Sequence, residues 1–280
     1  MVERLPSLIA QDEDSDILRG SAGCIGALIS LYRCAPSNRT LATAIQCGDR
    51  LLARAQAAGP GIGWITPAAA GNRPLAGFSH GAAGIAWALL ELAGLTGEER
   101  FRAAALAAIA YERSLFSAAV GNWPDLHEPE TVAQEGRDGR HSFVTAWCHG
   151  APGIGLARLR ALAHLDDAAT SAEIDTALKT TLSQGFGSNH SLCHGDLGNL
   201  ELLLLASQTL GDPQWPDAVH HISAMILESI GRDGWLCGVP LAVEVPGLMT
   251  GIAGIGYELL RLAEPRRVPS VLLLAPPMLE

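Results

Sequence analysis

Five times along the chain a glycine recurs three residues after a glycine, at the head of an apolar run. The segments are GSAGCIGALISLY from Gly20, GFSHGAAGIAWALLEL from Gly77, WCHGAPGIGLARLRAL from Trp147, LCHGDLGNLELLLL from Leu192 and GLMTGIAGIGYELLRL from Gly247. Self-similarity on this scale marks a repeat architecture and limits the fold more than any other property of the sequence. Each unit reads as a small-residue loop followed by a helix.

Between these units lie second helical stretches, over residues 40–57, 98–117, 171–184 and 216–229. They carry apolar groups at three- and four-residue spacing and charges on one side, Asp49, Arg50 and Arg54 in one, Arg102, Glu112 and Arg113 in the next. That is the pattern of a helix with one wet face. Residues 85–92 and 199–206 are instead apolar nearly all round, which predicts burial on most sides. Aromatic residues are only 5 % of the chain, so Leu, Ala, Ile and Val build the core, a mix that favours helices over sandwiches. The expected fold is therefore all-α, with an inner helix layer wrapped by an outer one, as in an α/α barrel or toroid or a curved solenoid. The glycine loops then gather at the N-termini of the inner helices, where partial positive charge suits a thiolate or a developing enolate. Residues 59–74 and 121–140 read as long Gly/Pro-rich connections, of the kind that often carry function. Residues 269–280 read as an extended strap packed on the body, and no boundary divides residues 1–280 into separate domains.

Composition excludes several classes of function. The balance of 19 basic against 29 acidic groups, with no Lys/Arg stripe, gives a nucleic-acid role no electrostatic support. No apolar run reaches the ~18–20 residues that span a bilayer, and the opening MVERLPSLIAQDEDSD lacks a signal-peptide core, so a soluble cytoplasmic protein is expected. In that compartment six cysteines do not suggest a disulfide framework. Cys24, Cys34, Cys47 and Cys237 read as small buried hydrophobes.

Cys148 and Cys193 differ, because Cys148-His149-Gly150 and Cys193-His194-Gly195 occupy matching positions in consecutive units. Zinc takes thiolate and imidazole ligands in a tetrahedron, and neighbouring loops supply three or four. Two Cys and one His with an open position make a catalytic site, whereas two of each make a closed structural one. His149 either ligates or faces a substrate beside the metal. His80 sits at the same loop depth in the second unit, and a neutral imidazole suits proton transfer. Asp16, ahead of the first glycine loop, reads on its own as an ordinary acid in the run Asp12-Glu13-Asp14-Ser15-Asp16.

From about Asp16 to Pro277 the chain resembles the lanthionine synthetase cyclase family, especially the C-terminal cyclase domain of class II lanthipeptide synthetases. GFSHGAAGIA, WCHGAPGIGLARL, SLCHGDLGNLELLL, GLMTGIAGIGYELLRL and the terminal VPSVLLLAPP carry the resemblance. It implies a toroid of inner and outer helices, with zinc ligands at Cys148, Cys193 and His194 and catalytic residues at His80 and Asp16. The implied reaction adds a cysteine thiolate to dehydroalanine or dehydrobutyrine in a dehydrated precursor peptide, closing a lanthionine or methyllanthionine ring. At position 144 stand-alone cyclases carry Arg where this chain has Val144, and about five of the family's seven repeats are present. An N-terminally shortened ring is expected, served by a separate dehydratase or a ring-completing chain. Two other readings are kept: a non-catalytic zinc-containing peptide-binding scaffold, and another zinc-dependent thiol-alkylating α/α barrel such as a prenyltransferase subunit.

Overall fold

The paired glycines mark places where the chain folds back on itself too closely for a side chain. The computed structural model describes residues 4–67, 69, 71–127 and 142–277. In it Gly20, Gly81, Gly150, Gly195 and Gly251 are the N-caps of five helices. The partners three residues on are Gly23, Gly84, Gly153, Gly198 and Gly254. A Cβ on any of these would lie 1.7–2.0 Å from the carbonyl oxygen of the residue six earlier. The loop therefore curls under its own helix, and only glycine leaves room for it. Gly150 needs glycine twice over: its φ is +86°, and a Cβ would meet the Val144 carbonyl oxygen at 1.9 Å.

The elements run α1 (Leu5–Ile9), α2 (Ser21–Cys34), α3 (Asn38–Arg54), β1 (Gln56–Ala58), β2 (Gly61–Gly63), α4 (Ala82–Thr96), α5 (Glu99–Ser114), α6 (Ala151–Ala161), α7 (Ala168–Gln184), α8 (Asp196–Thr209), α9 (Gln214–Asp233) and α10 (Ile252–Ala263). Helices α2, α4, α6, α8 and α10 each follow a glycine loop and pack one against the next in that order; α3, α5, α7 and α9 pack on the outside of α2, α4, α6 and α8. These are the two expected layers, and five inner helices stand in the described residues.

Burial separates the layers. Every residue from Ala82 to Ala93 in α4 and from Asp196 to Ala206 in α8 is buried. Leu89, Leu90 and Leu92 are each no more than 2 % exposed, and burying such a side chain stabilises by about 1.5–3 kcal/mol. Outer helix α3 buries Thr40, Thr43, Ala44, Cys47 and Leu51, one stripe at helical spacing.

Two of the acids buried on the inner helices are paired across helices. Glu91 on α4 takes Arg33 from α2 at 2.9 Å and Arg160 from α6 at 2.7 Å. Glu201 on α8 takes Arg261 from α10 at 2.7 Å. Glu258 on α10 is fully buried beside Glu201, and burial first, then the Glu201 charge and a hydrogen bond to it, push its pKa up toward the neutral acid.

Three expectations are amended. Glu112 is not on the wet face of α5: it is fully buried, pairs with Arg158 of α6 at 3.0 Å and accepts the Gly77 amide at 2.9 Å. The helix expected over 40–57 stops at Arg54, and the chain enters the antiparallel hairpin β1–β2, with Ala58 opposite Gly61. Gly59, at φ +51°, makes the turn, and the hairpin presses so close to α5 that a Cβ on Gly61 would lie 1.9 Å from the Ala107 carbonyl oxygen. The terminal segment does pack on the body, but residues 271–274 form a turn rather than an extended strap. Leu274 then reaches α2, where its carbonyl accepts the Ser30 hydroxyl and its side chain fills the space beside Gly26 and Trp87. Of the connection 121–140, residues 128–140 lie outside the described residues, as do 278–280 of the tail.

Candidate metal centre

The glycine loops are held side by side by their main chains. Ile17 N donates to Ser79 O at 3.1 Å, Ser79 N to Cys148 O at 3.3 Å, Cys148 N to Cys193 O at 3.1 Å and Cys193 N to Met249 O at 2.8 Å. Residues 79, 148, 193 and 249 thus occupy one register across four repeats. Residues one further on, His80, His149, His194 and Thr250, occupy the next.

That register brings the expected ligands together. One donor atom each from Cys148, Cys193 and His194 lies within 4.8 Å of the others. The group grades from buried Cys148 through half-buried Cys193 to exposed His194, so it opens outward on the His194 side. The hydrogen bond between the two sulfurs pushes the Cys148 thiol up, and burial adds to the push. The same bond draws Cys193 below the usual thiol range, against burial and with His194 helping. His194 is raised in turn by Cys193, against burial, and its ring also bonds the Gly238 backbone. A Cβ on Gly238 would lie 2.9 Å from His194 Nε2, so the ring is clamped from that side. Two sulfurs, one already favouring the thiolate, and one oriented imidazole are a donor set that fits zinc.

The Cys148 loop is buttressed by two asparagines. Asn122 Nδ2 donates to Val144 O at 3.1 Å, while its Oδ1 accepts the Ala151 amide at the start of α6 at 2.9 Å. Asn199 Nδ2 donates to Thr145 O at 2.9 Å and Gly185 O at 2.7 Å. Beneath the loop, Phe78 lies between Trp87 and Trp147, with ring centroids 5.6 and 5.5 Å away.

His80 and Asp16 are in contact. His80 Nδ1 lies 2.6 Å from Asp16 Oδ2, and Asp16 Oδ1 accepts the Arg19 amide at 2.7 Å. Asp16 is fully buried, not an exposed member of an acidic run. Its carboxylate orients the His80 ring, whose side chain keeps 18 % exposure.

His149 is not in the Cys148 group. Its ring lies 6.2 Å from that of His80 and 4.2 Å from that of His127. Burial, with His127 and His80 adding, lowers its pKa to about 4 against the pull of Asp125. Asp125 is opposed by burial but held down at about 2, chiefly by its hydrogen bond to His127. Sequence reasoning singled out neither Asp125 nor His127. The signal available was an acid and a histidine two residues apart at the head of a long Gly/Pro-rich connection.

Comparison with known proteins agrees with this architecture. Residues 2–273 match the lanthionine synthetase C-like proteins, and the chain belongs to that family. The Lacticin 481/lactococcin biosynthesis protein LcnDR2 of Lactococcus lactis subsp. lactis is 26 % identical over 200 residues, 67 % of this chain. The chain spans only 20 % of that relative's length. Nisin cyclase has the same fold at a TM-score of 0.65 and 20 % identity, over 98 % of this chain and 72 % of its own. Cellobiose 2-epimerase from Bacillus thermoamylovorans B4167 is similar at a TM-score of 0.56 and 14 % identity, over 79 % of this chain and 64 % of its own. At such identities the likeness is one of fold, an α/α toroid.

Proposed function

We propose that this chain is a zinc-dependent lanthionine cyclase that adds a peptide cysteine to dehydroalanine or dehydrobutyrine. The observation that carries the reading is the convergence of Cys148, Cys193 and His194 on the rim that also presents the His80–Asp16 pair. Family membership and the cyclase named among the similar structures support it. The first, second and third of those donors would be the metal ligands. Zinc held there would lower the pKa of a substrate thiol, so that the sulfur is present as thiolate at neutral pH.

The residues of the chain supply the rest. Asp16 fixes His80 through Nδ1, leaving Nε2 as the nitrogen free to exchange a proton. Sulfur attack on Cβ of the dehydro residue forms the C–S bond and moves the π electrons toward Cα and the carbonyl. His80 gives the proton that Cα then takes, and recovers one lost by the incoming thiol. Helix N-termini around the rim favour the negative charge that builds up between these events. The substrate must already be dehydrated, so a dehydration step on the same precursor peptide comes first. Thiol ligands suit a reducing compartment, consistent with a cytoplasmic enzyme. Residues 1–280 would act as one domain, since the described core forms a single cluster.

The test has two readouts. Cys193→Ala is expected to lose about one equivalent of zinc per chain, and to lose the thiolate-to-metal charge-transfer band when cobalt replaces zinc. With a dehydrated, cysteine-containing peptide, the intact chain is expected to consume free thiol, and His80→Ala to slow that consumption by 10²-fold or more. Metal uptake without thiol consumption would instead identify a peptide-binding scaffold.

A further inference from the structure

The rim holds a second group of metal-binding donors. Among the described residues, Asp125, His127 and His149 also offer one donor atom each within 4.8 Å of the others, and all three are half-buried. The Asp125 amide bonds Ser142 O at 2.8 Å, which ties the acid to the segment entering the Cys148 loop. Asp125 Oδ1 receives both the His127 amide and the His127 ring Nδ1, each at 3.0 Å. His149 meets His127 edge-on, and His80 stands 5.5 Å from His127. The His149 ring rests against the Ala76 backbone, yet its Nδ1 is buried and makes no hydrogen bond of good geometry.

His127 turns its Nδ1 to Asp125 and His80 turns its Nδ1 to Asp16, which leaves His149 Nδ1 as the buried ring nitrogen of this cluster without such a partner. Buried polar atoms in that state cost free energy unless something satisfies them. A cation placed among them would satisfy the bare nitrogen and the carboxylate together. We infer that Asp125, His127 and His149 bind a second divalent cation, a first-row transition ion such as zinc, cobalt or manganese. Two imidazoles and one carboxylate suit such ions and leave coordination positions free for oxygen ligands. The site contains no sulfur, so it differs in donor chemistry from the Cys148 group. The two groups share one loop: Cys148 serves one and His149, the next residue, serves the other. This goes beyond the cyclase reading and does not depend on it.

The experiment is metal titration of the full chain after removal of bound metal. The intact chain is expected to bind two equivalents of cobalt, one of them giving the thiolate charge-transfer band. His127→Ala and Asp125→Asn are each expected to lose one equivalent while that band keeps its full intensity, which also shows that the rim is folded. Cys193→Ala is expected to do the reverse, losing the band and keeping the sulfur-free equivalent. A single equivalent in the intact chain, or two equivalents retained by both His127→Ala and Asp125→Asn, overturns the second site. Absence of the charge-transfer band in the intact chain would count against the cysteine site alone.

Discussion

Glu112 shows how much one side chain does in this molecule. It sits on outer helix α5, yet its two oxygens hold an inner helix through Arg158 and the loop bearing His80 through the Gly77 amide. Arg158 is itself 1 % exposed and is also bound by Glu173 at 2.6 Å. Removing Glu112 leaves buried Arg158 with Glu173 alone and the Gly77 amide without its acceptor, so Glu112→Ala is expected to cost about 3 kcal/mol, read as a lower urea midpoint. Removing both charges with Glu112→Leu and Arg158→Met should cost less than Glu112→Ala alone. None of this was legible in the sequence, where Glu112 matched a wet face because its partner lies 46 residues away. Asp16 was hidden for the same reason, its partner His80 being 64 residues on; only the family resemblance lifted it out of its acidic run. The two Cys-His pairs were legible, because equal positions in a repeat become neighbours in space, and the family resemblance chose His194 over His149 beside Cys148 and Cys193.

At the scale of elements, the helices follow from periodicity, and their ends follow from caps. Helix α7 begins at Asp167, whose carboxylate accepts the Ala169 and Thr170 amides at 3.1 and 3.3 Å and the Thr170 hydroxyl at 2.9 Å. Its pKa is lowered, first by Thr170 and next by Arg113, which lies 3.0 Å away. A folded-state pKa below the unfolded value means that the carboxylate stabilises the fold above about pH 4. That contribution fades as pH falls through the lower folded value. Asp167→Ala is expected to cost about 1 kcal/mol at pH 7. Denaturation near pH 2.5 should show a smaller gap between the variant and the parent chain. The hairpin β1–β2 was not foreseen, because its reason for existing is tertiary: it covers α5, and Trp64 just beyond it donates to Leu51 O at 2.8 Å. A three-residue strand has too few positions to show its period against a neighbouring amphipathic helix.

Across the whole molecule, the terminal segment links the last inner helix to the first. Leu274 lands where Gly26 leaves a gap: a Cβ there would meet Leu274 Cδ1 and Trp87 Cη2, each at 2.8 Å. Gly26→Val is expected to cost about 2 kcal/mol by overpacking, seen as a lower Tm. Leu274→Ala in that background should recover part of the loss. The order of the layers was readable from alternating all-apolar and amphipathic stretches, but this crossing was not, since nothing in VPSVLLLAPP names the helix it meets. The amide-to-carbonyl bonds joining residues 17, 79, 148, 193 and 249 carry a wider consequence. Position and reactivity are specified separately: the peptide backbone keeps each site on the rim, while the side chain there is free to change. A donor can be exchanged, as an imidazole for a thiol or a phenol for an imidazole, without rebuilding its support. Scaffolds of this kind can therefore acquire new chemistry by single substitutions.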